Sequence, residues 1–216
     1  MKPKQGPAVN DESFNPLDKE NLGEAVAKAL LSRAVHPMPP ENKFQGAGVY
    51  ALYYVGDFEP YRRLALRNRE DPFSRPIYVG KAQPVGSRKG GEPKGPADLP
   101  SARRGSKLYS RLKKHAASIT YAENLDITDF LCRYLVVDEV RFPLGEALLI
   151  ERTRPLWNLV VEGFGNHDPG KGRHAGMMPV WDVLPPGRPW AKNLQAHEKE
   201  LPEILRAIDE HLRGDA

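Results

Sequence analysis

Two short strings constrain this chain more than any other part of it: Gly48-Val49-Tyr50 and Ile77-Tyr78-Val79-Gly80. Each sets a tyrosine in a β-branched run beside a glycine, the pattern of a short, half-buried strand with a phenol at a fixed place. Two such strands side by side bring two phenols together, either as packing or as two proton-bearing groups aimed at one site. The stretch between them is too long for a tight hairpin, so a local insertion has to fill it.

The rest of the chain supplies partners for these strands. Residues 1 to about 20 are rich in Pro, Asn, Asp and Lys, and are expected to form a loose tail. Leu22, Val26, Ala29 and Leu30 recur at helical spacing, predicting a helix over 20–34 that ends at His36-Pro37-Met38-Pro39-Pro40. Val49 to Val55 is the first strand, and 61–70 a polar, Arg-rich helix or arm before the second strand at 77–80. Residues 82–105 hold many Gly and Pro without periodicity and predict a long loop. Ser106 is placed to cap the next helix, whose buried side is marked by Leu108, Leu112 and Ile119. Arg111 and His115, four apart, share a face of that helix and can edge a cleft floored by the strands. Phe130 to Val137 predicts a third strand, and Pro143 opens a helix to about Thr153.

Glu146 lies early in that last helix, before Ala147-Leu148-Leu149-Ile150. It suits either a helix-dipole partner or a hard-metal ligand. Asn158, after Pro155-Leu156-Trp157, could simply bond a loop backbone. The run Gly163 to Arg173 is Gly-rich and basic but lacks the GKS or GKT ending of a phosphate-binding P-loop, which removes an NTPase reading. His167 and Asp168 alone do not make a metal site. Apolar residues from Trp190 through Leu194, Leu201, Ile204, Leu205, Ile208 and Leu212 predict a closing amphipathic helix, broken near Pro202.

Charge narrows the partners. The net charge is only +4, but Lys81, Arg88, Lys89, Lys94, Arg103, Arg104, Lys107, Arg111, Lys113 and Lys114 fall within 81–114, against Glu92 and Asp98. Such a block suits a polyanion such as nucleic acid phosphates, or else a solvated surface. No apolar run is long enough to span a bilayer, and no secretory signal is visible. The single cysteine, Cys132, sits in a strand-like run as a small apolar residue, so a cytoplasmic location is expected.

In order, Gly48-Val49-Tyr50, Tyr78-Val79-Gly80, Arg111 with His115, Glu146 and Asn158 resemble the GIY-YIG nuclease superfamily over residues 44 to 160. The strings Phe44 to Tyr54, Pro76 to Ala82, Pro155 to Asn158 and Gly163 to His167 are similar, more narrowly, to GIY-YIG Type II restriction endonucleases that cut CCGCGG. Val49 and Val79 stand where the superfamily name has Ile, which keeps a β-branched apolar residue.

The resemblance implies an α+β fold: a small, mainly antiparallel three-stranded sheet flanked by helices, with N- and C-terminal additions and a long basic loop. The divisions are then 1–43 (tail and helix), 44–160 (nuclease core with loop 82–105 inserted) and 161–216 (Gly-rich loop and C-terminal helix). It implies Mg²⁺-dependent hydrolysis of double-stranded DNA, leaving 3′-hydroxyl and 5′-phosphate ends. The implied catalytic set is Tyr50 activating water, Tyr78 at the nucleophile or phosphate, Arg111 on phosphate oxygens and His115 relaying a proton or holding Tyr50 or the phosphate. Glu146 would hold the metal, with Asn158 orienting Glu146 or the phosphate. A free phenol has a pKa near ~10, so Tyr50 needs help to act as a base, and Lys81 is a candidate. DNA-contact candidates are Lys81, Arg88, Arg103, Arg104, Lys107, Lys171 and Arg173. A palindromic site implies a homodimer, and a restriction role implies a cognate DNA methyltransferase. The competing expectations are a repair or structure-specific nicking nuclease of the same superfamily, and a DNA-binding protein without catalysis.

Overall fold

The computed structural model describes residues 19–83, 105–137, 142–170, 172 and 175–214. Its centre is an antiparallel sheet in the order β1-β4-β2-β3, formed by β1 (His36–Pro37), β2 (Gly48–Tyr54), β3 (Tyr78–Ala82) and β4 (Phe130–Val136). The sheet therefore has four strands, not the expected three. The extra one is only two residues long because Pro37 has no N–H to continue a ladder, and it sits at the edge, where proline is tolerated. It covers β4 through the pair His36 with Cys132, whose Sγ also meets the Pro37 carbonyl at 3.6 Å.

β2 runs through the middle, and all seven of its residues are buried, not half-buried as its alternation implied. Both faces are covered. Val49, Ala51 and Tyr53 pack with Val26 and Leu30 of α1 (Lys19–Leu31) and Leu149 of α4 (Phe142–Thr153). Tyr50, Leu52 and Tyr54 face Leu108, Leu112 and Ile119 of α3 (Lys107–Tyr121), as the spacing of those residues predicts. A strand covered on both sides has no polar face to show in sequence.

The insertion between β2 and β3 is a short helical turn followed by α2 (Arg62–Glu70). Buried Asn68 ties it down: its amide nitrogen donates to the Tyr54 and Arg75 carbonyls at 3.1 and 2.9 Å, and its oxygen accepts from the Arg75 N–H at 2.9 Å. Ser106 makes no side-chain cap on α3. That end is held by backbone instead, with Leu108 N–H donating to the Gly46 carbonyl at 3.0 Å.

Beyond α5 (Leu156–Leu159), the chain forms α6 (Val180–Val183) and α7 (Leu201–Gly214). The closing helix begins at Leu201, with Pro202 inside its first turn where the missing N–H costs nothing, and a separate short turn, Ala191–Asn193, stands before it. Trp181, Leu184, Ile204 and Ile208 join the same core as Tyr50 and Trp157. No helix among the described residues is long and apolar enough to cross a membrane.

Candidate active site

The two motif glycines let the strands come close enough to build the site. A Cβ on Gly48 would collide with the Leu135 carbonyl of β4. Gly80 lies opposite Tyr50 in the ladder, and a Cβ there would sit 2.5 Å from the Tyr50 hydroxyl oxygen. The phenol thus lies across the β3 backbone because that backbone carries no side chain.

There the Tyr50 hydroxyl meets Nε2 of His115 at 2.6 Å, with both residues buried. Phe164 stacks on the His115 ring (centroids 4.4 Å apart, planes at 17°), and Tyr78 meets His115 edge-on at 5.4 Å. Burial, reinforced by neighbouring Tyr78, pushes the Tyr50 pKa well above its ordinary value, and Arg111 only partly offsets this. Burial, together with the positive charges of Arg111, His167 and Arg188, holds the His115 imidazole well below its ordinary value. Near neutral pH the pair is a phenol and a neutral imidazole. In the tautomer that leaves Nε2 without a proton, the phenol donates a hydrogen bond to the imidazole, which offers a proton path and not a standing phenolate.

This burial has a stability consequence. The unfolded chain takes up a proton at His115 near the ordinary value of 6.5, while the folded site refuses it until a lower pH. The contribution of this group is therefore fully present above 6.5 and is lost as the pH falls below that value toward the depressed folded one. Thermal melts between about pH 8 and pH 5 should show the wild type losing Tm faster on acidification than His115→Gln. Equal slopes would mean that His115 is not held neutral.

Arg111, one turn before His115, reaches the open side. Its Nη1 meets Nε2 of His167 at 2.6 Å and its Nη2 donates to the Gly165 carbonyl at 3.2 Å, while its Nε is buried without a hydrogen-bond partner. Tyr78, Arg111, Trp157, Asn158, Glu162 and the 163–166 loop enclose a cleft of about 340 Å³.

Lys81 is not beside Tyr50. Residues 78 and 80 of β3 face α3, so 81 faces the other side. There its ammonium pairs with Glu146 at 2.6 Å, with the two side chains 33% and 17% exposed. Lys81 therefore does not support a Tyr50 phenolate, and Glu146, past the first turn of α4, is an ion-pair partner and not a helix-dipole partner. The pairing also bears on a metal. The Glu146 carboxylate already takes a cation's charge, and no cluster of three or more His, Cys, Asp or Glu side chains exists among the described residues. Such a site fits a hard ion that takes one protein oxygen and completes its shell with water and phosphate, the habit of Mg²⁺.

Asn158 lines the cleft, and its side-chain hydrogen bonds go to β3. Its amide pairs twice with the outer edge of β3, accepting from Val79 N–H at 2.8 Å and donating to the Val79 carbonyl at 2.9 Å, as another strand would. It thereby holds the strand that carries Tyr78 and Lys81.

The fold thus gathers Tyr50, Tyr78, Arg111 and His115 on one side of β3, Lys81 and Glu146 on the other, and Asn158 at its edge. Lys107 is exposed at the start of α3. Arg88, Arg103, Arg104, Lys171 and Arg173 lie outside the described residues, as does most of the basic loop. His167 and Phe164 escaped the sequence reading as site residues, although their Gly-rich run was visible. Neither carries a local signal of its partner on α3.

A tyrosine pair across β2 and β3, an arginine and histidine one turn apart on the helix above it, and a glutamate on the opposite side define a GIY-YIG nuclease domain. A family model described as the Eco29kI GIY-YIG domain matches residues 42–212. The chain belongs to that family of restriction endonucleases, and so carries a DNA-binding nuclease domain. No curated protein matches it.

Proposed function

We propose that this protein is a Type II restriction endonuclease that hydrolyses both strands of a palindromic GC-rich site, CCGCGG, as a Mg²⁺-dependent cytoplasmic homodimer paired with a cognate DNA methyltransferase. The observation that carries the chemistry is the buried 2.6 Å contact between Tyr50 and His115 beside Arg111. As water attacks phosphorus, its proton passes to the Tyr50 oxygen while the phenol proton moves to His115 Nε2, so no free phenolate is needed. Arg111, which lines the cleft, holds phosphoryl oxygens through its planar fork, and Tyr78 orients the phosphate or the water. Glu146 would hold Mg²⁺, which when bound supplies Lewis-acid stabilisation of the departing 3′-oxygen. The new P–O bond forms from water and the P–O3′ bond breaks, giving 3′-hydroxyl and 5′-phosphate ends.

Intact plasmid incubated with Mg²⁺, with an EDTA control and mapping of the ends, tests this. Discrete metal-dependent fragments ending within CCGCGG are expected. Nicks without fixed position, or cleavage of branched DNA alone, would move the same chemistry to repair. Binding without cleavage under any divalent metal would leave a DNA-binding scaffold.

A further inference from the structure

The mechanism above makes no use of Arg188, yet this is the most completely engaged cation among the described residues. It is 1% exposed. Its Nε donates to Asp182 Oδ1 at 2.6 Å and its Nη2 to Asp182 Oδ2, in a pair buried on both sides. Its remaining N–H groups go to main-chain carbonyls: Phe164 at 3.2 Å, Asn166 at 3.3 Å and Gly163 at 3.1 Å. The rings of Trp181 and Trp190 each lie 4.5 Å from the guanidinium carbon. All five donors are in use, and two indole rings lie against the guanidinium.

What this cation grips is the loop of the candidate active site. Three carbonyls of the 163–166 run turn toward Arg188. The fourth, Gly165, turns the other way and accepts from Arg111. The same loop puts the Phe164 ring on His115 and the His167 ring on Arg111. Convergent carbonyls repel one another unless a cation gathers them, and here one cation gathers them from the core side while a second meets the loop from the cleft side.

We propose that Arg188 is a positioning residue for DNA cleavage: by fixing the 163–167 loop from behind, it sets the orientation of Arg111 and the His115 ring at the phosphate. The inference rests on the nuclease reading of the site. Arg188→Lys keeps a charge for Asp182 but cannot gather three carbonyls. Misplacement of a clamp by about an ångström costs on the order of 100-fold, so kcat should fall about 10- to 100-fold with KM for DNA little changed. A double-mutant cycle separates positioning from folding. If Arg188 acts through Arg111, then R111K/R188K is little slower than R111K alone. Independent, multiplying losses, or an unchanged kcat, would overturn the proposal. Ile208→Val, a trim of the α7 core away from the loop, controls for stability and should leave kcat unchanged. Should R188K not fold, Trp190→Leu uncovers one face of the guanidinium but leaves its hydrogen-bond partners, and the same cycle is read with it. If neither variant folds, Arg188 is a folding residue and the positioning role is overturned. The Arg111 Nε–Hε resonance, followed by NMR, reports independently of cleavage. It should shift in R188K and not in I208V, even if the wild type fails to cut DNA, which would sink the nuclease reading alone.

Discussion

Glu146→Ala should abolish cleavage while DNA binding survives. Among the described residues no group of three or more His, Cys, Asp or Glu side chains could hold a metal, so the proposed mechanism rests the metal on Glu146. With that carboxylate gone, Lewis-acid help worth several kcal/mol is lost on this mechanism, or at least ~1,000-fold in rate. The change also removes the ion-pair partner of Lys81 and leaves its charge uncompensated there. Gel-shift titrations in EDTA should therefore show E146A binding DNA at least as tightly as the wild type, with a steeper salt dependence because one more ammonium is available to phosphate. Single-turnover cleavage and binding measured together decide the matter: a variant that still cuts at more than a few per cent of the wild-type rate removes Glu146 from the chemistry.

The second large effect belongs to Tyr50→Phe. The ring fills the same fully buried space in β2, so folding and DNA affinity should hold. What disappears is the hydroxyl that meets His115 and that, on the proposed mechanism, takes the proton of the attacking water. Loss of a positioned acid–base group costs roughly 10²- to 10⁴-fold, and the whole loss should fall on the chemical step. Tyr54 and Tyr61 offer a contrast. Their hydroxyls are tied into the core, Tyr54 accepting from Phe58 N–H at 2.7 Å and Tyr61 from Trp157 Nε1 at 2.9 Å, so their removal should cost stability and not rate. Stopped single-turnover assays on Y50F and Y61F, alongside thermal melts, test the division. Near-normal cleavage by Y50F would place water activation elsewhere.

Much of this was legible before the structure, and the misses have physical causes. The strands carrying Tyr50 and Tyr78 were visible as short β-branched runs beside a glycine, and the helix carrying Arg111 and His115 because its apolar residues keep a period. β1 was not, because two residues ending in proline have no period at all. The pairing of Lys81 with Glu146 was in principle readable: positions 78 and 81 differ by an odd number, which puts them on opposite faces of a strand. Asn158 was unreadable, since its task depends on which strand lies at the sheet edge, and strand order is decided by packing across the whole chain. Arg188 sits in a Pro-Gly-Arg-Pro turn that looks like surface; only the arrival of carbonyls from more than twenty positions earlier buries it.

The alternation of β3 carries one more consequence. An in-line displacement needs the incoming and departing oxygens on opposite sides of phosphorus, and on the proposed mechanism the groups that serve the two come from opposite faces of β3. A slip of β3 by one residue against β2 would exchange Tyr78 and Lys81 between those faces, taking Tyr78 from His115 and Lys81 from Glu146. The paired hydrogen bonds between Asn158 and Val79 pin that register from the outer edge, where no further strand pairs among the described residues. A single amide at the sheet edge thus guards which residues meet on each face.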